Sequence, residues 1–189
     1  MYLFFDTETT GIPLDYKAPL SRLDNWPRLV QLAWLLHDQS GNELERGSAI
    51  VKPVGFTIPM DAARVHGITT QRATQEGRAL KDVLTEFSAI IDKASVLVAH
   101  NMAYDEKIMG AEFLRNAMPE RIGPMKRLCT MQASTSYCAI PGPYGYKWPK
   151  LDELHRKLFG TGFTGAHNAS SDIGATAKCF WELRRRKLI

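Results

Sequence analysis

Two carboxylates stand two residues apart at the head of the chain, in Asp6-Thr-Glu8, directly after the apolar run Tyr2-Leu-Phe-Phe5. On an extended strand, residues two apart share a face, so Asp6 and Glu8 point the same way. Two neighbouring carboxylates repel unless a cation or proton sits between them. Two further acids occupy element ends: Asp105 in His100-Asn-Met-Ala-Tyr-Asp105, and Asp172 in His167-Asn-Ala-Ser-Ser-Asp172. Taken singly, each suits compensation of a helix dipole, worth under about 1 kcal/mol. Four such acids in one pocket carry roughly the charge of two divalent cations. Cation pairs of this kind clamp the attacking and leaving oxygens in phosphodiester hydrolysis. Oxygen donors favour Mg2+ or Mn2+ over zinc. His167, five residues before Asp172, suits the base for the water, since an unperturbed imidazole titrates near neutrality.

These residues need a scaffold. Tyr2 to Phe5 has no polar alternation, the pattern of a strand buried on both faces, with Gly11 and Pro13 as turn punctuation. Residues 28–37 read as a second strand, 38–42 as a hairpin turn and 43–52 as a third strand. Residues 59–65 read as a short helix stopped at Gly67. Leu80, Val83, Leu84, Phe87, Ile90 and Ile91 follow helical spacing and predict a helix over 78–93. Residues 95–99 form a short apolar strand, followed by a helix over about 102–117 that stops before Pro119. Residues 125–130 read as an edge strand, 139–149 as a loop and 151–159 as a helix ended by Gly160. A last helix is capped by Asn168 or Ser170, with Ile173, Thr176, Ala177 and Phe180 on one face. Strands first, then strands alternating with helices, predict an α/β mixed sheet covered by helices. The C-terminal ends of parallel strands gather with the following helix N-termini at one edge, where the acids are expected to converge.

The 189 residues suit one domain with a sizeable core. Hydrophobic residues at 44% and charged residues at 23% are ordinary for a soluble globular protein. No apolar stretch approaches a membrane span, and no secretion signal is evident. Cys129, Cys138 and Cys179 lack metal-like spacing and read as free thiols, so a cytoplasmic location is expected. The net charge of +4 permits a polyanionic partner without demanding one. The Arg184-Arg185-Arg186-Lys187 cluster reads either as cations at a helix C-terminus or as a nucleic-acid contact.

The segments Asp6-Thr-Glu-Thr-Thr-Gly11, His100 to Asp105 and His167 to Asp172 together resemble the three motifs of the DnaQ-like, DEDDh-type 3′–5′ exonucleases, in order and spacing. The resemblance covers nearly the entire chain. It implies a ribonuclease-H-like fold with a five-stranded mixed sheet, and one exonuclease domain over 1–189. It implies metal-dependent hydrolysis from a free 3′ end of nucleic acid, with Asp6, Glu8, Asp105 and Asp172 as ligands for two divalent cations and His167 as general base. Thr7 and Thr9 would line the pocket for the terminal 3′-hydroxyl. His66, in Val65-His-Gly-Ile68, would sit beside the last base or else cap its helix. Asn101 would bond a phosphate or satisfy buried backbone. Tyr104 reads as core, and His37 and His155 as surface or packing residues. In the loop Ile140 to Pro149, Tyr144 and Tyr146 are expected to stack on single-stranded substrate, whereas Trp148 is expected to pin the loop to the core. The family includes proofreading subunits that hold a polymerase through additional segments. The chain stops just after its last helix, so a stand-alone enzyme is the expectation. Two other functions stay open: a nucleic-acid-binding module without catalysis, and a hydrolase limited to short oligonucleotides.

Overall fold

The computed structural model describes residues 1–165 and 168–189. Its frame is a mixed five-stranded sheet in the order β3-β2-β1-β4-β5, from β1 (Tyr2–Thr9), β2 (Leu29–His37), β3 (Glu43–Ile50), β4 (Val96–Ala99) and β5 (Lys126–Cys129). Three strands form an antiparallel meander, and β4 and β5 run parallel to β1. The first strand is longer than its apolar run suggested. It continues through the acids to Thr9 because β2 pairs it along its whole length, with Asp6 opposite Ala33 and Glu8 opposite Gln31. A bulge between Glu8 and Thr9 then ends the regular ladder.

Every residue of β2 is buried, as expected of a strand covered on both faces. On one face Leu3 and Phe5 pack with Val83, Leu84 and Phe87 of α3 (Leu80–Ile91) and with Ile108, Met109 and Phe113 of α4 (Met102–Arg115). On the other, Phe4, Ala33, Leu35 and Val98 pack with Ala169, Ile173, Ala177 and Phe180 of the last helix, α8 (Ala169–Arg185). Small alanines on α8 let it lie close to the sheet. At Gly47 of β3 an added Cβ would fall 2.1 Å from the Trp34 ring, so only glycine leaves room for the indole.

The chain also forms α1 (Met60–His66), α2 (Thr70–Glu76), the single turns α5 (Thr130–Ala133) and α6 (Thr135–Cys138), a two-residue hairpin of β6 (Pro141–Gly142) and β7 (Gly145–Tyr146), and α7 (Leu151–Phe159). Four of these are corrections. Residues 70–76 lack a helical stripe because only Ala73 is buried, and α2 instead rests on Thr69, whose hydroxyl accepts from the Arg72 amide. Residues 139–149 are not all loop, since β6 and β7 pair within them. The turns α5 and α6 are too short to show a period. The three cysteines are free. Among the described residues, no helix is long and apolar enough to cross a membrane.

Candidate active site

Strand alternation sorts the first motif onto two sides of the sheet. Asp6 and Glu8 share the face of Phe4, toward α8, while Thr7 and Thr9 share the buried face of Leu3 and Phe5, toward α4. Asp172 enters from the first turn of α8, which Asn168 caps by accepting from the Ser170 amide. Oxygens of Asp6, Glu8 and Asp172 thereby come within 4.8 Å of one another.

Asp105 reaches the same strand tip from the opposite layer. It lies in the first turn of α4, only 3% exposed. Its Oδ1 accepts two bonds from Thr7, at 3.1 Å from the amide and 2.7 Å from the hydroxyl. Thr7 is therefore a brace between the two sides of the site. The turn before α4 is tight: Asn101 adopts the left-handed conformation, φ 78°, which asparagine tolerates better than most residues.

The cluster is electrostatically strained. Burial, then the charges of Asp105, Asp172 and Glu8, hold the Asp6 carboxyl well above the usual carboxylate range. Burial and the charges of Asp172 and Asp105 push Glu8 to about 8. Burial also pushes Asp105 to about 7, against the two bonds from Thr7 that favour its charged form. Buried carboxylates that cannot all ionise together are what a small, hard divalent cation neutralises.

Asp6, Glu8 and Asp172 open onto a cleft of about 370 Å3, lined also by Thr7, Asn101, His100, Lys150 and Phe163. The last three drew no role from sequence alone. His100 is adjacent to Asn101 in the second motif, which was the available signal. Lys150 opens α7, 45 residues beyond Asp105 in number and so beyond any local pattern.

The other described residues singled out in the sequence do not line this cleft. Thr9 is buried, its hydroxyl 2.7 Å from the Gly11 carbonyl and 2.6 Å from the Tyr104 hydroxyl, which itself donates to that carbonyl. Tyr104 is half-buried against the core, and its hydroxyl closes this turn. His66 ends α1 and is buried. Its Nδ1 accepts from the Ile68 amide, so Nε2 carries the proton toward the Thr9 carbonyl at 3.3 Å. This geometry is that of a capping residue, held neutral because burial lowers its basicity. Tyr144 and Tyr146 project from the β6–β7 hairpin at 104% and 59% exposure. Trp148, at 61% exposure, does not pin the loop, contrary to expectation. The loop is held instead by the Lys147 amide on the Ile140 carbonyl and by the Lys147–Glu153 ion pair at 2.6 Å. His37 and His155 pack in the interior, the first accepting from Trp181 Nε1 and the second bonded to the Thr161 carbonyl. Arg185 and Arg186 pair with Glu182 at the end of α8, the helix-terminal role. His167 lies outside the described residues.

An α/β sheet of this order, with an acidic cleft at the end of its central strand, is the ribonuclease-H-like architecture of nucleases. A family model described as exonuclease matches residues 3–180, and the chain belongs to that family. The similar curated sequences include the PolC-type DNA polymerase III of Lactococcus lactis, 28% identical over 98% of this chain, and that of Streptococcus thermophilus, 29% identical over 94%. The chain spans only 10% and 11% of those proteins. Among solved structures, Escherichia coli exonuclease I in complex with a dT13 oligonucleotide superposes with a TM-score of 0.77 at 20% identity, over 98% of this chain and 41% of the other. A moderately thermophilic exonuclease I from Methylocaldum szegediense gives 0.76 at 22%, over 98% and 40%.

Proposed function

We propose that residues 1–189 form one exonuclease unit that removes nucleotides from the free 3′ end of single-stranded nucleic acid, releasing nucleoside 5′-monophosphates. The observation that carries this reading is the convergence of Asp6, Glu8 and Asp172 within 4.8 Å, all on one cleft of an exonuclease-family chain. Exonuclease I, which shares the fold, holds a dT13 strand, in line with a single-stranded substrate.

In this reading Asp6, Glu8, Asp172 and Asp105 hold two divalent cations, Mg2+ or Mn2+, since carboxylate oxygens are their preferred donors. When bound, the cations supply charge stabilisation to the attacking and leaving oxygens of the phosphodiester. The Thr7 brace fixes Asp105 so that its carboxylate needs no reordering on binding. His167 takes the proton of the attacking water. Asn101, on the cleft wall, contacts a substrate phosphate, and Tyr144 and Tyr146 offer exposed faces for stacking.

The test is a panel of end-labelled single-stranded DNA, duplex DNA and RNA, incubated with Mg2+, Mn2+ or EDTA. Metal-dependent loss of 3′-terminal mononucleotides, fastest on single strands, is the expected result. Binding without cleavage in every metal would sink it in favour of a binding module. A second reading is suggested by the PolC-type relatives, of which a similar stretch forms about a tenth. In it the unit edits for a polymerase, and purified DNA polymerase III should then co-elute with it.

A further inference from the structure

His100 follows the last residue of β4, and both of its ring nitrogens are engaged. Nε2 lies 3.0 Å from the Pro149 carbonyl. A carbonyl only accepts, so Nε2 carries the proton and donates. Nδ1, 2.9 Å from Thr130 Oγ1, is then left to accept the threonine hydroxyl proton. Burial lowers the ring to about 4, which favours its neutral form. A buried histidine used as a strut raises the question of what it holds.

Pro149 is buried and immediately precedes the first turn of α7. The next three residues, Lys150, Leu151 and Asp152, line the same cleft as the acids. Lys150 is the one lysine or arginine on the lining among the described residues. Its amide donates to Glu153 at 2.7 Å, and Glu153 in turn pairs with Lys147. The segment 147–150 is thus anchored at its two ends by Glu153 and at Pro149 by His100. An anionic strand entering an acid-lined cleft gains most from a cation set at a fixed place on the wall.

We propose that His100 is a positioning residue: through the Pro149 carbonyl it fixes the first turn of α7 so that Lys150 meets a substrate phosphate upstream of the scissile bond. The proposal rests on the function proposed above. It assigns the strut no part in bond breaking, and it predicts that substrates lacking an upstream phosphate do not sense it.

Two substrates are needed: a single-stranded oligothymidylate, and the p-nitrophenyl ester of thymidine 5′-monophosphate, whose only phosphate is the scissile one. His100→Ala and Lys150→Ala should each raise KM for the oligonucleotide about tenfold, with kcat less affected, as loss of a binding contact does. Both should leave hydrolysis of the ester and Mn2+ affinity within about twofold of wild type. His100→Gln, which keeps a donor for Pro149, should recover most of the oligonucleotide KM. The double variant should be no worse than either single one, because one interaction is removed twice. Equal losses on both substrates, weaker Mn2+ binding or additive effects would each overturn the proposal. Lys150→Ala, an exposed change, and His100→Gln decide the matter even if His100→Ala does not fold. Failure of the wild type to release 3′-terminal mononucleotides from the oligothymidylate in Mn2+ would instead remove the exonuclease reading, independently of His100.

Discussion

Asp6 sits in the electrostatically strained cluster at the end of β1. Burial and three neighbouring carboxylates all oppose its charge, so it is costly to the fold and has value only with a counter-ion. Asp6→Asn should therefore separate the two roles. Cleavage in saturating Mg2+ should fall at least about a hundredfold, as when charge stabilisation of a transition state is lost. The metal-free protein should melt at the same temperature as wild type or higher, because a repulsion is relieved. A folded Asp6→Asn variant with wild-type turnover would show that the cluster is not catalytic. His167→Ala should cost about 100- to 10,000-fold in turnover, the usual contribution of a general base, while Mn2+ affinity stays near wild type. The acidic limb of the wild-type pH–rate profile should vanish in that variant. A profile of unchanged shape would assign the proton transfer to another group.

At the scale of elements, the sequence was readable wherever a period was long enough. The stripes of α3 and α8 and the strand β2 stand as expected, and of the two caps read for α8 the structure uses Asn168. The helix α2 was not readable, because a segment with one buried alanine carries no stripe. The acids of β1 and α8 were legible as residues at element ends. That Asp105 approaches from the opposite layer and is braced by Thr7 depends on a pairing across 98 residues. The His100 strut depends on one across 49. Neither leaves a local trace. The β6–β7 hairpin presents both tyrosines to solvent, with no part in the core. Tyr144→Ala combined with Tyr146→Ala should thus leave melting unchanged and weaken single-strand binding several-fold, since stacking is worth about 1–3 kcal/mol per base. Fluorescence anisotropy with labelled oligothymidylate reads the affinity. Unchanged affinity would place the hairpin away from the path of the strand.

For the whole molecule, the raised carboxyls make stability depend on pH in an unusual direction. Glu8, at about 8, and Asp105, at about 7, hold protons in the folded protein that the unfolded chain releases near pH 4. Between those limits the folded state binds more protons than the unfolded one, so stability falls as pH rises. The contribution is fully present below about pH 4 and is lost as pH passes through 7 to 8. Calorimetric melting of the metal-free protein should show a Tm that declines over this window. Millimolar Mn2+ should raise the Tm most at its alkaline end, where the ligands are already ionised.

The most direct test of the acid cluster as the cation site is a Mn2+ titration by isothermal calorimetry at pH 7, repeated in buffers of different ionisation enthalpy. Glu8, at about 8, holds a proton at pH 7 that it must release as the ion enters, so the wild type should release roughly one proton per chain on binding. That release should shrink by pH 9, and binding should be lost or much weakened in Asp6→Asn. Mn2+ binding that releases no protons, or that survives intact in Asp6→Asn, would contradict the account.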